Sequence, residues 1–124
     1  VKAWLDAVPA DVAPVAMLDF HSTRRNLFYV QGEAEATPAQ EEFLTDWLVP
    51  ATDAHPGYAF TIERRNANPG SGTSKNWFHE AYGVPAYTYE AADEVDRDAA
   101  RAAALQLADT FVASLVALVT NSAH

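Results

Sequence analysis

The chain has 124 residues, of which 49% are hydrophobic and 11% aromatic, and its formal net charge at pH 7 is −9. This apolar share is enough for one domain with a buried core and argues against intrinsic disorder. The acidic balance argues against nucleic acid and anionic membranes as partners, because both bind basic surfaces. The chain has no cysteine, which excludes disulfides and cysteine-based zinc sites. No apolar stretch reaches the roughly 20 residues of a membrane span, so we expect no membrane association.

The chain begins with a short helical pattern and two strand patterns. Residues 1–8 carry apolar side chains at helical spacing and are followed by Pro9. Residues 15–20 (VAMLDF) form a continuous apolar run, which is typical of a strand buried on both faces. Residues 27–30 (LFYV) predict a second short strand.

A helix with clear start signals comes next. Thr37 is a suitable N-cap, Pro38 occupies the first helical position, and Gln40 completes a capping box. Pro50 is expected to end this helix, because proline lacks the N–H that the helix interior requires. Its apolar face comprises Phe43, Leu44, Trp47 and Leu48.

The second half of the chain continues the alternation. Residues 58–63 predict a strand, and residues 66–72 (NANPGSG) predict a loop. A short helix that ends at Gly83 follows, and residues 84–89 predict another strand. A long helix is predicted over residues 98–119, with a buried stripe of Leu105, Ala108, Val112, Leu115 and Val119.

Strands and helices alternate throughout, so the fold class is α/β, with a mixed sheet flanked by helices. Three main strands are few for a sheet that is covered on both faces. We therefore interpret residues 1–124 as a single domain whose sheet is only partial. Such a sheet exposes strand edges and apolar surface, so we expect self-association.

Two chemically useful side chains follow predicted strands. His21 comes directly after residues 15–20, and Glu90 directly after residues 84–89. Ligands of open α/β sheets bind beyond the carboxyl ends of the strands. At such a position an imidazole can bind a metal and a carboxylate can act as a general base. The structural alternative for a lone histidine after a strand is a hydrogen-bonded residue without a catalytic role.

Three cations are candidates for binding a substrate carboxylate. Arg24 and Arg25 follow His21, and the guanidinium of either could bind a carboxylate with two parallel hydrogen bonds. Lys75 lies near the start of the short helix, where a cation opposes the helix dipole and indicates an anion nearby. The alternative is that these cations are solvated or paired with neighbouring acids.

The segments at residues 18–23 (LDFHST) and 86–93 (AYTYEAAD) and the order of elements between them resemble the C-terminal half of the M14 zinc carboxypeptidase family. The resemblance implies that His21 is a zinc ligand and Glu90 the catalytic glutamate. It also implies the reaction, which is hydrolysis of a C-terminal residue from a peptide or an amino-acid conjugate. In that chemistry zinc polarises the carbonyl and activates water, and the glutamate transfers the proton.

The family takes its other two zinc ligands from a His-x-x-Glu motif, which this sequence lacks. His21, His55 and His79 are followed three positions later by arginine or tyrosine, and His124 ends the sequence. We therefore expect the chain to be inactive alone and to supply one zinc ligand. One alternative is a zinc-dependent N-acyl amino acid deacylase that resembles aspartoacylase or succinylglutamate desuccinylase. The other is a non-catalytic α/β interaction module.

Overall fold

A computed structural model describes residues 2–9, 11–65 and 73–122 of the protein. The predicted loop at residues 66–72 lies outside this part of the chain. The described residues form eight elements in this order: α1 (Lys2–Leu5), β1 (Met17–Thr23), β2 (Leu27–Gln31), α2 (Pro38–Ala54), β3 (Thr61–Arg65), α3 (Ser74–Tyr82), β4 (Ala86–Ala92) and α4 (Arg97–Ser122).

The four described strands form one mixed sheet in the order β1-β4-β2-β3. β1 pairs with β4 in parallel, and β2 pairs with β3 in parallel. The two pairs are joined by the antiparallel contact between β2 and β4. The expected α/β class with a mixed sheet flanked by helices is confirmed, and β1 and β3 are the edge strands.

The hydrophobic core lies between the sheet and the pair of helices α2 and α4. Phe28 of β2 stacks on Tyr89 of β4, with ring centroids 4.5 Å apart, and its edge meets Trp47 of α2. The Trp47 Nε1–H donates to the Leu107 carbonyl of α4 over 2.9 Å, which ties the two helices together. The opposite face of the sheet carries α3, which contacts β1 and β4.

The two strands that carry the candidate site differ from their sequence predictions. β1 was expected to be buried on both faces, which is wrong, because as an edge strand it has one neighbour and Phe20 is 68% exposed. β1 and β4 both extend further along the chain than expected. As a result His21 and Glu90 lie inside their strands and not after them.

The helices confirm some start and stop signals and overturn others. The capping box of Thr37 and Gln40 is present, but α2 continues through Pro50 to Ala54. Pro50 is exposed, so the helical carbonyl that its missing N–H leaves unbonded can be hydrated. α3 ends as predicted at Gly83, which adopts the left-handed conformation with φ of 65°.

The buried face of α4 is also not the predicted one. Leu105 and Val112 are exposed, whereas Ala103, Leu107 and Ser114 are buried. Apolar residues occur almost all around this helix, so the sequence defines no single buried stripe. By length and composition alone, α4 is long and apolar enough to cross a membrane. One such helix is weak evidence for a membrane span, because core helices of water-soluble proteins meet the same criteria.

Candidate active site

The register of the parallel strands brings the predicted base next to the predicted ligand. His21 of β1 pairs with Glu90 of β4, and Asp19 pairs with Thr88. Neighbouring strands lie about 4.8 Å apart, and register partners point to the same side of a sheet. The four side chains therefore share the face that carries α3, while the adjacent residue Tyr89 points into the core.

Asp19 holds the imidazole of His21. The His21 Nε2 lies 3.0 Å from the Asp19 Oδ2, and the two residues are two positions apart on one strand. The His21 side chain is 54% exposed. The hydrogen bond to Asp19 and the charge of that carboxylate raise the pKa of His21, and the charge of Glu90 acts in the same direction.

Ser74, the first residue of α3, donates a hydrogen bond from its Oγ to the same Asp19 Oδ2. Partial burial opposes ionisation of Asp19, but the hydrogen bonds from Ser74 and His21 outweigh it, so the pKa of Asp19 is lowered. Asp19 and Ser74 are residues that the sequence reasoning missed. Asp19 had a detectable signal, because it is the one charged residue of the run at 15–20 and has the same strand phase as His21.

Glu90 is half-buried between two strands. Its partner on the β1 side is His21, and its partner on the β2 side is Leu27, which is fully buried. The carboxylate thus has an imidazole on one side and an apolar strand on the other. This is a suitable environment for a group that moves a proton to and from a water molecule.

The candidate substrate-binding cations have different surroundings. Arg25 donates to the Glu63 Oε1 of β3 over 3.0 Å, while Arg24 is exposed. Lys75 is only 5% exposed, and its Nζ lies 3.4 Å from the Arg65 carbonyl. Burial lowers the pKa of Lys75. The two arginines follow β1 at the end of the sheet nearest His21, whereas the ammonium of Lys75 lies against the β3 backbone.

His21 fits the role of one metal ligand, since its ring is accessible and its second nitrogen is oriented by a carboxylate. A catalytic zinc needs three protein ligands. No group of three or more histidine, aspartate or glutamate side chains in the described part of the chain could hold a metal ion. The described residues therefore offer a single ligand and a neighbouring carboxylate.

The architecture is similar to the crystal structure of a metallo-carboxypeptidase from Burkholderia cenocepacia, with a TM-score of 0.60 and 18% sequence identity. The chain has a carboxypeptidase-like fold. The similarity covers 98% of this chain and 34% of that one, so the chain spans about a third of the length of the similar protein. No protein-family model and no curated protein matches the sequence.

Proposed function

We propose that this chain is the C-terminal part of the catalytic domain of a zinc-dependent metallocarboxypeptidase, in which Glu90 is the general base and His21 is one zinc ligand. The observation that carries the proposal is the register pairing of His21 with Glu90 on one face of a sheet with a carboxypeptidase-like fold. Register partners on adjacent strands are close enough for one water molecule to contact both side chains.

The proposed chemistry divides between the metal and the chain. Zinc, when bound, would polarise the scissile carbonyl and acidify a water molecule. Glu90 would remove a proton from the attacking water and deliver it to the leaving amine, which restores the carboxylate at the end of the cycle. His21 would hold the metal beside Glu90, because both residues are fixed by the hydrogen bonds of the strands.

The missing ligands are proposed to come from a polypeptide segment outside this sequence. Neither the sequence motif His-x-x-Glu nor a three-residue ligand group within the described ranges is present. The chain matches only a third of the similar protein, and the outer edge of β1, beside His21, has no strand partner among the described elements. These observations support a domain whose sheet continues beyond β1, and they lead us to propose that the chain alone is inactive.

Arg24 and Arg25 are proposed to bind the C-terminal carboxylate of the substrate. Arginine matches a carboxylate with two parallel hydrogen bonds, and Arg25 already binds one carboxylate, that of Glu63. Binding of substrate would exchange that partner for the substrate carboxylate. The two arginines suit this role better than Lys75, whose ammonium is buried against the Arg65 backbone.

Hydrolysis by the complete gene product tests the proposal. We expect zinc-dependent release of the last residue from N-blocked dipeptides with a free carboxylate, and no cleavage of the same dipeptides with an amidated C-terminus. Preferential hydrolysis of N-acyl amino acids would favour the deacylase alternative. A zinc-loaded protein that hydrolyses neither class of compound would overturn the proposal.

A zinc titration of the 124-residue chain tests the argument about missing ligands separately. We expect no tight one-to-one binding, because a single imidazole cannot replace a three-ligand site. Tight stoichiometric zinc binding by this chain alone would contradict that argument.

A further inference from the structure

A chain of two hydrogen bonds links α3 to the imidazole of His21. Ser74 Oγ and His21 Nε2 both approach a single atom, Oδ2 of Asp19. Ser74 and Asp19 are 55 residues apart in sequence, so the contact exists only when α3 is docked on the sheet. An ionised carboxylate can only accept hydrogen bonds, so both the serine hydroxyl and the imidazole nitrogen must be the donors.

The direction of these bonds determines which ring nitrogen is available. A neutral imidazole carries one N–H, and if Nε2 donates it to Asp19, Nδ1 keeps a free lone pair. A metal binds the nitrogen that carries no proton. The arrangement differs from a nucleophilic serine triad, because the serine binds the carboxylate and not the imidazole.

Resting on the proposed function, we propose that Asp19 and Ser74 are positioning residues that fix the orientation and tautomer of His21, so that Nδ1 is the nitrogen presented to zinc. The exposure of His21 makes such residues necessary. With 54% of the side chain exposed, packing alone does not hold the ring. Asp19 is fixed in turn by the strand that carries it and by Ser74 on α3.

The order of the hydrogen bonds predicts how strongly the loss of each residue affects the orientation of the His21 ring. Asp19 contacts the imidazole directly, so its loss frees the ring. Ser74 acts through Asp19, and its loss leaves the hydrogen bonds of the carboxylate to His21 and to the Phe20 backbone in place, so it has a smaller effect. Removing the carboxylate behind a metal-binding histidine costs about 10- to 100-fold in metal affinity in other proteins.

The first experiment is NMR of the ¹⁵N-labelled 124-residue chain at a pH where the imidazole is neutral. We expect His21 to be the Nε2–H tautomer, with an Nε2–H proton that exchanges slowly enough with water to be observed. Asp19→Ala should abolish that proton signal, and Ser74→Ala should speed its exchange. Ser22→Ala is the matched control, because Ser22 neighbours His21 on β1 but points to the other face of the sheet. An Nδ1–H tautomer, or a signal unaffected by Asp19→Ala, would overturn the proposal.

The second experiment measures the zinc dissociation constant of the complete gene product. Asp19→Ala should weaken zinc binding about 10- to 100-fold, Ser74→Ala should weaken it less, and Ser22→Ala should leave it unchanged. Tight zinc binding that does not respond to Asp19→Ala would overturn this inference and leave the hydrolase proposal intact. A gene product that binds no zinc would overturn both the hydrolase proposal and the role of Asp19 and Ser74 in zinc binding. The NMR experiment would still show whether the hydrogen bond between His21 and Asp19 exists.

Discussion

His21 on β1 and Glu90 on β4 are register partners in the parallel half of the sheet, and both point to the face that carries α3. Their separation is set by the pairing of the two strands and not by a loop. A shift of one residue in either strand would move one of them to the core face. The hydrolase interpretation depends on this relationship, because one water molecule must contact both side chains.

The first prediction concerns the centre of the core. Trp47 is 1% exposed, packs against Phe28 and Phe111, and donates a hydrogen bond to Leu107. We expect Trp47→Ala to lower the free energy of unfolding by about 3–5 kcal/mol, because it leaves a large cavity. Urea unfolding followed by far-UV circular dichroism measures the change. Trp4→Ala, at a position 69% exposed, should change it by less than about 0.5 kcal/mol, and equal effects of the two substitutions would contradict the described core.

The second prediction concerns the turn that leads from α3 into β4. Gly83 has a φ of 65°, and an added Cβ would meet no atom within 4 Å, so the cost of a side chain is conformational and not steric crowding. Gly83→Ala should lower the free energy of unfolding by about 1–2 kcal/mol. Gly57→Ala is the control, since Gly57 also has open space and no positive φ. A thermal unfolding midpoint that falls as much for Gly57→Ala as for Gly83→Ala would contradict the left-handed conformation of Gly83.

The third prediction concerns the pH dependence of stability. Arg64 binds both carboxylate oxygens of Glu41 at 2.6 and 2.7 Å, and these hydrogen bonds lower the pKa of Glu41 from its usual 4.5. A lowered pKa means that the stabilisation is present above the unfolded pKa and is lost as the pH falls through the folded pKa. Since both side chains are about a third exposed, Glu41→Gln should cost about 0.5–1 kcal/mol at pH 7.

The difference in unfolding free energy between the original protein and the Glu41→Gln variant should therefore narrow below about pH 4.5. Glu42→Gln, a change at an exposed neighbouring position, should leave the unfolding free energy almost unchanged both at pH 7 and below about pH 4.5. A Glu41→Gln effect that grows as the pH is lowered would contradict the sign of this linkage.

The fourth prediction concerns the exposed apolar side of α4. Val112 and Val116 are 59% and 62% exposed, and Leu105 is exposed to the same extent. Apolar patches of this kind favour association, so we expect the isolated chain to self-associate as concentration rises. Val112→Glu should reduce the association seen by sedimentation velocity, whereas Val49→Glu, at a position of α2 that is 51% exposed, should not. A monodisperse monomer at high concentration would contradict the prediction.

Local signals in the sequence were sufficient for several features of the fold. The capping box of Thr37 and Gln40 and the stop at Gly83 involve residues close together in sequence, and both were predicted. The pattern of residues 27–30 also identified β2. Features that depend on distant neighbours were not predicted. The edge position of β1 and the exposed side of α4 depend on which elements pack against them.

The candidate site also combines features that local sequence predicts with features that depend on distant residues. His21 and Glu90 could be singled out because each follows an apolar run, but their pairing needs the register of β1 and β4. The hydrogen bond between Ser74 and Asp19 joins residues that no local pattern connects. Lys75 was singled out as a cation that could bind a substrate carboxylate, and its burial against β3 could not be inferred from the helix start alone.

The turnover number of the complete gene product with Glu90→Gln tests whether Glu90 is the general base. We expect a decrease of about 10²- to 10⁴-fold, because the amide cannot accept the proton, with an unchanged zinc content. Glu94→Gln, at an exposed position four residues further along, should keep the original turnover number. A Glu90→Gln protein that hydrolyses its substrate as fast as the original would show that Glu90 is not the general base.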